Sequence, residues 1–95
     1  MKFRITVKKK LDTINFSEPN ILTNVSSDGT FEAQAINFAK TSCNTYIRDY
    51  TTGIGVKMRT QKEWTKNIKT KNFEKVVMVQ NGDKPETLVF VLEQL

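Results

Sequence analysis

Apolar and polar residues alternate along several segments of this chain, and a period of two predicts β-strands. Residues 2–9 place Phe3, Ile5 and Val7 on one side and basic or polar side chains on the other. The alternation returns in residues 56–62, and residues 64–68 form either a further short strand or a bent continuation of that one. Both segments are therefore predicted strands with one basic face.

A different period marks residues 31–50, where apolar side chains recur every three or four positions. This spacing predicts one long helix that packs a single stripe onto a core. Asp28 or Thr30 is the expected N-cap, and Gly53 is expected to end the helix with a positive φ. The stripe consists of Ala35, Ile36, Ala39, Cys43, Tyr46, Ile47 and Tyr50.

The clearest signal is a β-hairpin over residues 75–93, where two β-rich runs flank Asn81-Gly82. Pro85 has no amide proton, so we expect it outside the ladder or at its beginning. Both runs are apolar on both faces, whereas a half-solvated sheet would alternate with polar residues. We therefore expect either residues 10–30 or a second copy of the chain to cover the other face.

Residues 10–30 contain too many apolar side chains for a free loop, so we expect them against the core, with a short helical turn opened by Ser17-Glu18-Pro19. The element order then predicts an α+β fold in a single domain, residues 1–95. Its sheet is mainly antiparallel, with four to five strands, and the helix of residues 31–50 covers one face.

The formal net charge of +5 is concentrated in two segments. Residues 1–10 carry +5 and residues 57–75 carry another +5, while the remainder sums to −5. Two basic segments in a small domain predict a polyanionic partner. If strands 2–9 and 56–62 are neighbours, their basic faces merge into one surface, although lysines on strands also serve to prevent aggregation.

The candidate nucleic-acid-binding residues are Arg4, Lys57, Arg59, Lys62, Trp64 and Lys66. The cations would neutralise phosphates, and an aromatic ring among cations is what single-strand binders stack on a base. The alternative interpretation of Trp64 is an anchor of the core or of an interface. Glu63 and Glu74 are expected off this surface, because phosphates repel acids.

The residues for familiar enzyme chemistry are missing from the sequence. The chain has no histidine, which excludes Ser-His-Asp and Cys-His arrangements, and it has no glycine-rich phosphate loop. Cys43 is the single cysteine and is predicted to be a small buried hydrophobe. We predict no enzyme activity, no cofactor and no metal. No signal peptide and no membrane-length apolar run is recognisable, so a cytoplasmic location without a membrane partner is expected.

The leading hypothesis is a small, non-enzymatic, homodimeric accessory protein that binds nucleic acid through a lysine- and arginine-rich sheet face. The alternatives are a phage or mobile-element protein that binds and inhibits a host protein, and a structural or assembly subunit. Nucleic-acid binding predicts affinity that falls steeply with salt. An inhibitor predicts a stoichiometric complex with one protein, and an assembly subunit predicts large particles.

Overall fold

One six-stranded sheet and one helix make up most of the computed structural model, which describes residues 2–10, 15–26, 31–53 and 55–95. In chain order the elements are β1 (Lys2–Lys9), β2 (Asn20–Ser26), α1 (Phe31–Thr51), β3 (Val56–Gln61), β4 (Thr65–Lys66), β5 (Phe73–Asn81) and β6 (Lys84–Gln94). The predicted α+β fold is confirmed. The two-residue β4 is the further short strand considered for residues 64–68, and β2 is the additional strand.

The strands lie in the order β2-β1-β6-β5-β3, with β4 also beside β5, and every pair is antiparallel. The first and last strands are therefore neighbours near the middle of the sheet. Phe3 is opposite Gln94 on one side and Val25 on the other. The edges of the sheet are β2 on one side and β3 together with the short β4 on the other.

The hydrophobic core lies between α1 and one face of the sheet. Ala35, Ala39, Cys43 and Ile47 are buried on the helix, whereas Ile36 is only half-buried. Their partners alternate along the three central strands, as period two requires. These strand residues are Phe3, Ile5, Val7, Phe73, Val77, Val79, Leu88, Phe90 and Leu92.

The hairpin of β5 and β6 closes through a two-residue turn between the paired residues Asn81 and Lys84. Gly82 has a φ of 59°, and a positive φ at the first central position only is the pattern of a type II′ turn. Pro85 is the second residue of β6, opposite Gln80, so the prediction that it lies at the beginning of the ladder is confirmed.

Residues 17–19 form neither a helix nor a turn, so the predicted helical turn there is wrong. The Ser17 N–H donates to the Lys9 carbonyl at 2.8 Å, and Ser17 Oγ accepts from the Lys9 N–H at 2.9 Å. These bonds hold the segment beside β1 and lead into β2. Residues 20–26 thus widen the sheet and do not form a layer over it. The predicted N-caps Asp28 and Thr30 lie outside the described residues.

The end of α1 also differs from the prediction. The Thr51 hydroxyl donates to the Ile47 carbonyl at 2.8 Å, and the Thr52 N–H donates to the Arg48 carbonyl at 3.0 Å. Gly53 does not adopt a positive φ, whereas Gly55 has a φ of 82°. Threonine side chains therefore satisfy the last turn. No described helix is both long enough and apolar enough to cross a membrane.

Candidate nucleic-acid interface

The face of the sheet opposite α1, here called the open face, is not covered by a second layer in the part of the chain that the structure describes. Its side chains alternate along each strand with those of the core. They are Lys2, Arg4, Thr6 and Lys8 of β1, Ile21 and Asn24 of β2, Lys57 and Thr60 of β3, Glu74, Val76, Met78 and Gln80 of β5, and Thr87, Val89, Val91 and Glu93 of β6.

The centre of the open face is apolar. Val76 is directly opposite Val89, and Met78 is next to them with 39% of its surface exposed. Val91 continues this strip toward a shallow groove of about 490 Å³. The groove is lined by Arg4, Lys8, Ile21, Glu74, Val91 and Glu93, among others. A ligand on this face would therefore meet apolar surface with charged groups beside it.

The two basic strands are not neighbours, because β6 and β5 lie between β1 and β3. The condition under which their basic faces would merge is therefore not met. Three strand spacings separate β1 from β3, which is roughly 14 Å at about 4.8 Å each. Arg4 and Lys57 still share the open face, one on each side of the apolar strip.

Arg4 is already engaged by neighbours on the open face. Its guanidinium lies 3.8 Å from Glu93 Oε1, and its Nε donates to Asn24 Oδ1 at 3.3 Å. Both charged partners are more than a third exposed, so the ion pair contributes little to stability and leaves Arg4 able to bind a ligand.

The cations of the β3 edge have no such partners. Lys57, Arg59 and Lys62 are exposed, and no described carboxylate lies within ion-pair distance of them. Arg59 lies at the irregularity between Met58 and Thr60. The Lys62 N–H donates to the Val76 carbonyl at 3.0 Å, so this residue still follows β5.

Trp64 and Lys66 lie on the opposite side of the sheet from the open face. Trp64 is half-buried against both parts of the hydrophobic core, and its buried Nε1 has no hydrogen-bond partner among the described residues. Lys66 Nζ lies 2.7 Å from Glu32 Oε1 and 5.6 Å from the centre of the Phe73 ring. The hydrogen bond from Lys66 lowers the pKa of Glu32. The structure thus does not bring these two residues together with Arg4 and Lys57.

Two charged residues of the open face were not among the candidate binding residues. Glu74 lines the groove, so the expectation that it lies off this surface is wrong. Lys8 lies on the same face as Arg4, with its Nζ 4.6 Å from the centre of the Phe16 ring. The alternation in residues 2–9 already placed Lys8 with Arg4, and following that period to the end of the strand would have identified it.

A separate polar cluster pins the end of α1 on the core side. The carboxylate of Glu86 accepts a hydrogen bond from the Tyr50 hydroxyl and one from Asn81 Nδ2 at 3.1 Å, and Lys9 Nζ lies 3.3 Å away. Burial alone would raise the pKa of Glu86, but these donors lower it below its usual value. Since every member is paired with another, the cluster joins β1, α1, β5 and β6.

The single cysteine of the chain lies in the core between α1 and the sheet. Cys43 is buried, as predicted, and burial raises the pKa of its thiol to about 11. Among the described residues no three His, Cys, Asp or Glu side chains converge where a metal ion could bind. No protein-family model, curated protein or solved structure matches this chain. Fold and surface therefore define it as a small α+β protein with one helix-covered and one open sheet face.

Proposed function

We propose that the protein is a non-enzymatic, homodimeric nucleic-acid-binding protein whose open face is the binding surface. The observation that carries this proposal is the arrangement of cations on both sides of an apolar strip. Arg4 and Lys8 lie on β1, and Lys57 lies on β3, three strand spacings or about 14 Å across the sheet. The register also sets Lys57 four residues along the strands from Lys8, about 14 Å, and eight residues from Arg4, about 27 Å, so the ligand would run diagonally. This spacing lets one ligand contact both rows of cations while it lies over β6 and β5.

Phosphates would supply most of the affinity. Lys57, Arg59 and Lys62 have no described acidic partner, so binding a phosphate costs them no existing ion pair. The valines and Met78 between the cations would contact sugar or base edges without reading sequence. Glu74 and Glu93 on the same face limit how closely a duplex can follow it, which favours a flexible single strand.

The test compares two double variants that lose the same charge. Lys8→Ala with Lys57→Ala removes two cations of the open face, and Lys40→Ala with Arg48→Ala removes two exposed cations of α1. Labelled single-stranded DNA, single-stranded RNA and duplex DNA are titrated across a salt series. The open-face variant should reduce the slope of log affinity against log salt by about 1.4–1.8, since each lost phosphate contact removes about 0.7–0.9.

The α1 variant should bind like the unaltered protein. Equal losses for both variants would contradict the open face as the binding surface. No binding of any of these nucleic acids at ~50 mM salt and ~10 μM protein would remove the proposal altogether.

A second candidate function is the binding of a protein partner. The observation that favours it is the apolar strip of Val76, Met78, Val89 and Val91, together with mixed charges in the adjoining groove. Met78 is exposed and the three valines are half-buried. A host protein with an acidic rim and an apolar centre would fit this surface. In that case the protein would form a stoichiometric complex with its partner and would not bind oligonucleotides. The open-face variant would weaken the complex.

A further inference from the structure

The two edges of the sheet are chemically unlike. An exposed edge strand presents unpaired N–H and C=O groups, and natural proteins protect such edges with charges and bulges. The β3 edge has both, because it carries Lys57 and Arg59 and contains an irregularity between Met58 and Thr60. By contrast, β2 has the sequence Asn-Ile-Leu-Thr-Asn-Val-Ser, with no charge in its seven residues.

The backbone groups that β2 turns outward follow from the register. Leu95 N–H donates to the Lys2 carbonyl, and Lys10 N–H donates to the Thr87 carbonyl, so the even-numbered residues of β1 bond toward β6. The odd-numbered residues of β1 therefore bond toward β2, as the hydrogen bonds between Lys9 and Ser17 show.

Ile21 and Asn24 lie opposite the even-numbered residues Thr6 and Arg4. In an antiparallel ladder such pairs exchange no hydrogen bonds, so the N–H and C=O groups of Ile21 and Asn24 point away from β1. Within the described residues, backbone hydrogen bonds connect β2 to β1 alone. The outward groups are thus available to another strand.

We propose that this edge pairs with the same edge of a second copy, with the two β2 strands antiparallel about a two-fold axis. The proposal specifies the interface of the homodimer in the proposed function and does not require nucleic-acid binding. Charge selects the occupant: each copy carries a net charge of +5, so two copies approach most easily where neither presents a charge. Pairing through β3 would instead bring Lys57 and Arg59 of both copies together.

This arrangement extends the sheet and places both open faces on the same side, because the two-fold axis of an antiparallel pair is perpendicular to the sheet. The two β1 strands would then lie three strand spacings apart, again roughly 14 Å. Arg4 and Lys8 of both copies would flank the seam, so the dimer would offer one continuous basic surface.

The test substitutes Asn24, whose outward N–H donates no hydrogen bond within the described residues. Asn24→Pro deletes that N–H, and the matched control Asn24→Ala keeps it while also losing the side-chain bond to Arg4. Light scattering should give twice the chain mass at ~100 μM for the unaltered protein and for Asn24→Ala. Asn24→Pro should raise the dissociation constant at least tenfold. A single-chain mass for the unaltered protein, or unchanged dimerisation of Asn24→Pro, would overturn the proposal.

Amide hydrogen exchange of the unaltered protein provides a readout that does not depend on the folding of Asn24→Pro. The amides of Ile21 and Asn24 should be protected increasingly as protein concentration rises, whereas a free edge would exchange quickly at every concentration. If the protein is a dimer but does not bind oligonucleotides, the β2 interface stands and nucleic-acid binding is refuted. If it is a monomer that binds oligonucleotides, nucleic-acid binding stands and the β2 interface is refuted.

Discussion

Replacing Tyr50 with phenylalanine should destabilise the protein at neutral pH. The substitution keeps the ring, which stacks on Tyr46 with the centroids 6.0 Å apart, and removes only the hydroxyl that donates to Glu86. Hydrogen bonds to charged groups are worth about 1.5–3 kcal/mol, and the partial exposure of Tyr50 places the expected loss near the lower value. Each kcal/mol corresponds to about 4–8 °C in Tm for a domain of this size.

The loss should depend on pH in a direction that the carboxylate sets. Tyr50, Asn81 and Lys9 overcome the effect of burial and lower the pKa of Glu86 in the folded state. The stability they provide is therefore present above the unfolded pKa of about 4.3, and it disappears as pH falls through the lower folded value. The difference between Tyr50→Phe and the unaltered protein should thus be constant from pH 6 to 8 and shrink below about pH 4.

At high pH the ionisation of the Tyr50 phenol determines how the stability difference between Tyr50→Phe and the unaltered protein changes. Burial and the hydrogen bond to Glu86 raise the pKa of Tyr50. A raised acid pKa means that the folded state holds its proton more tightly, so this stability is complete below the unfolded pKa of about 10 and falls as pH rises through the folded value. The Tyr50→Phe variant lacks this titration, and its disadvantage should therefore decrease again above about pH 10.

Urea unfolding followed by circular dichroism at several pH values measures both effects. The matched control is Tyr46→Phe, one helical turn earlier, because no hydrogen bond of the Tyr46 hydroxyl is found among the described residues. It should change the free energy of unfolding by less than about 0.5 kcal/mol. Equal losses for the two variants, or a Tyr50→Phe loss that persists at pH 3, would refute the assignment of the stability to Glu86.

Three further predictions concern the core and the hairpin. Ile47→Ala should lower the free energy of unfolding by about 2–5 kcal/mol in urea titrations, since the Ile47 side chain is buried between α1 and the sheet. An unchanged unfolding midpoint would contradict the observed helix face. Gly82→Ala should destabilise by about 1 kcal/mol because its φ is 59°, whereas Gly53→Ala, without a positive φ, should be nearly neutral; equal effects would argue against the turn type. Cys43 should react with a thiol reagent at pH 8 far more slowly in the native than in the urea-unfolded protein, because burial raises its pKa to about 11, and similar rates would show an accessible thiol.

Patterns among residues close in the sequence predict much of the fold. The apolar stripe that contains Ala39 and Cys43, and the Asn81-Gly82 dipeptide between two β-rich runs, each specify an element through neighbours in the chain. The sequence does not indicate strand β2, because Leu22 is an extra residue between the partners of Ile5 and Thr6 and interrupts the period of two. The order of the strands could not be predicted either, since the pairing of strands distant in sequence depends on tertiary packing and not on local patterns.

The composition of the open face was predicted only in part for the same reason. Arg4 and Lys57 lie on the open face, as strands with one basic side require. Trp64 and Lys66 lie on the core side because β4 pairs with β5 so that Lys66 is opposite the buried Phe73. The register of a strand decides which of its side chains face the core. A strand of two residues is too short for its sequence to reveal that register.

The pairing of β1 with β6 has a consequence for how the protein comes to be folded. Phe3 meets Gln94, so the middle of the sheet cannot form until nearly the whole described chain has left the ribosome. Until then β1 has at most β2 as a neighbour, and Phe3, Ile5 and Val7 have no complete core to enter. Sheets built from such distant pairings fold slowly, because a long loop must close before its contacts stabilise it. During synthesis the growing chain would therefore expose the apolar side chains of β1 before β6 can pair with it. Exposed apolar strands aggregate, so we expect the yield of folded protein in cells to depend on chaperones that bind them.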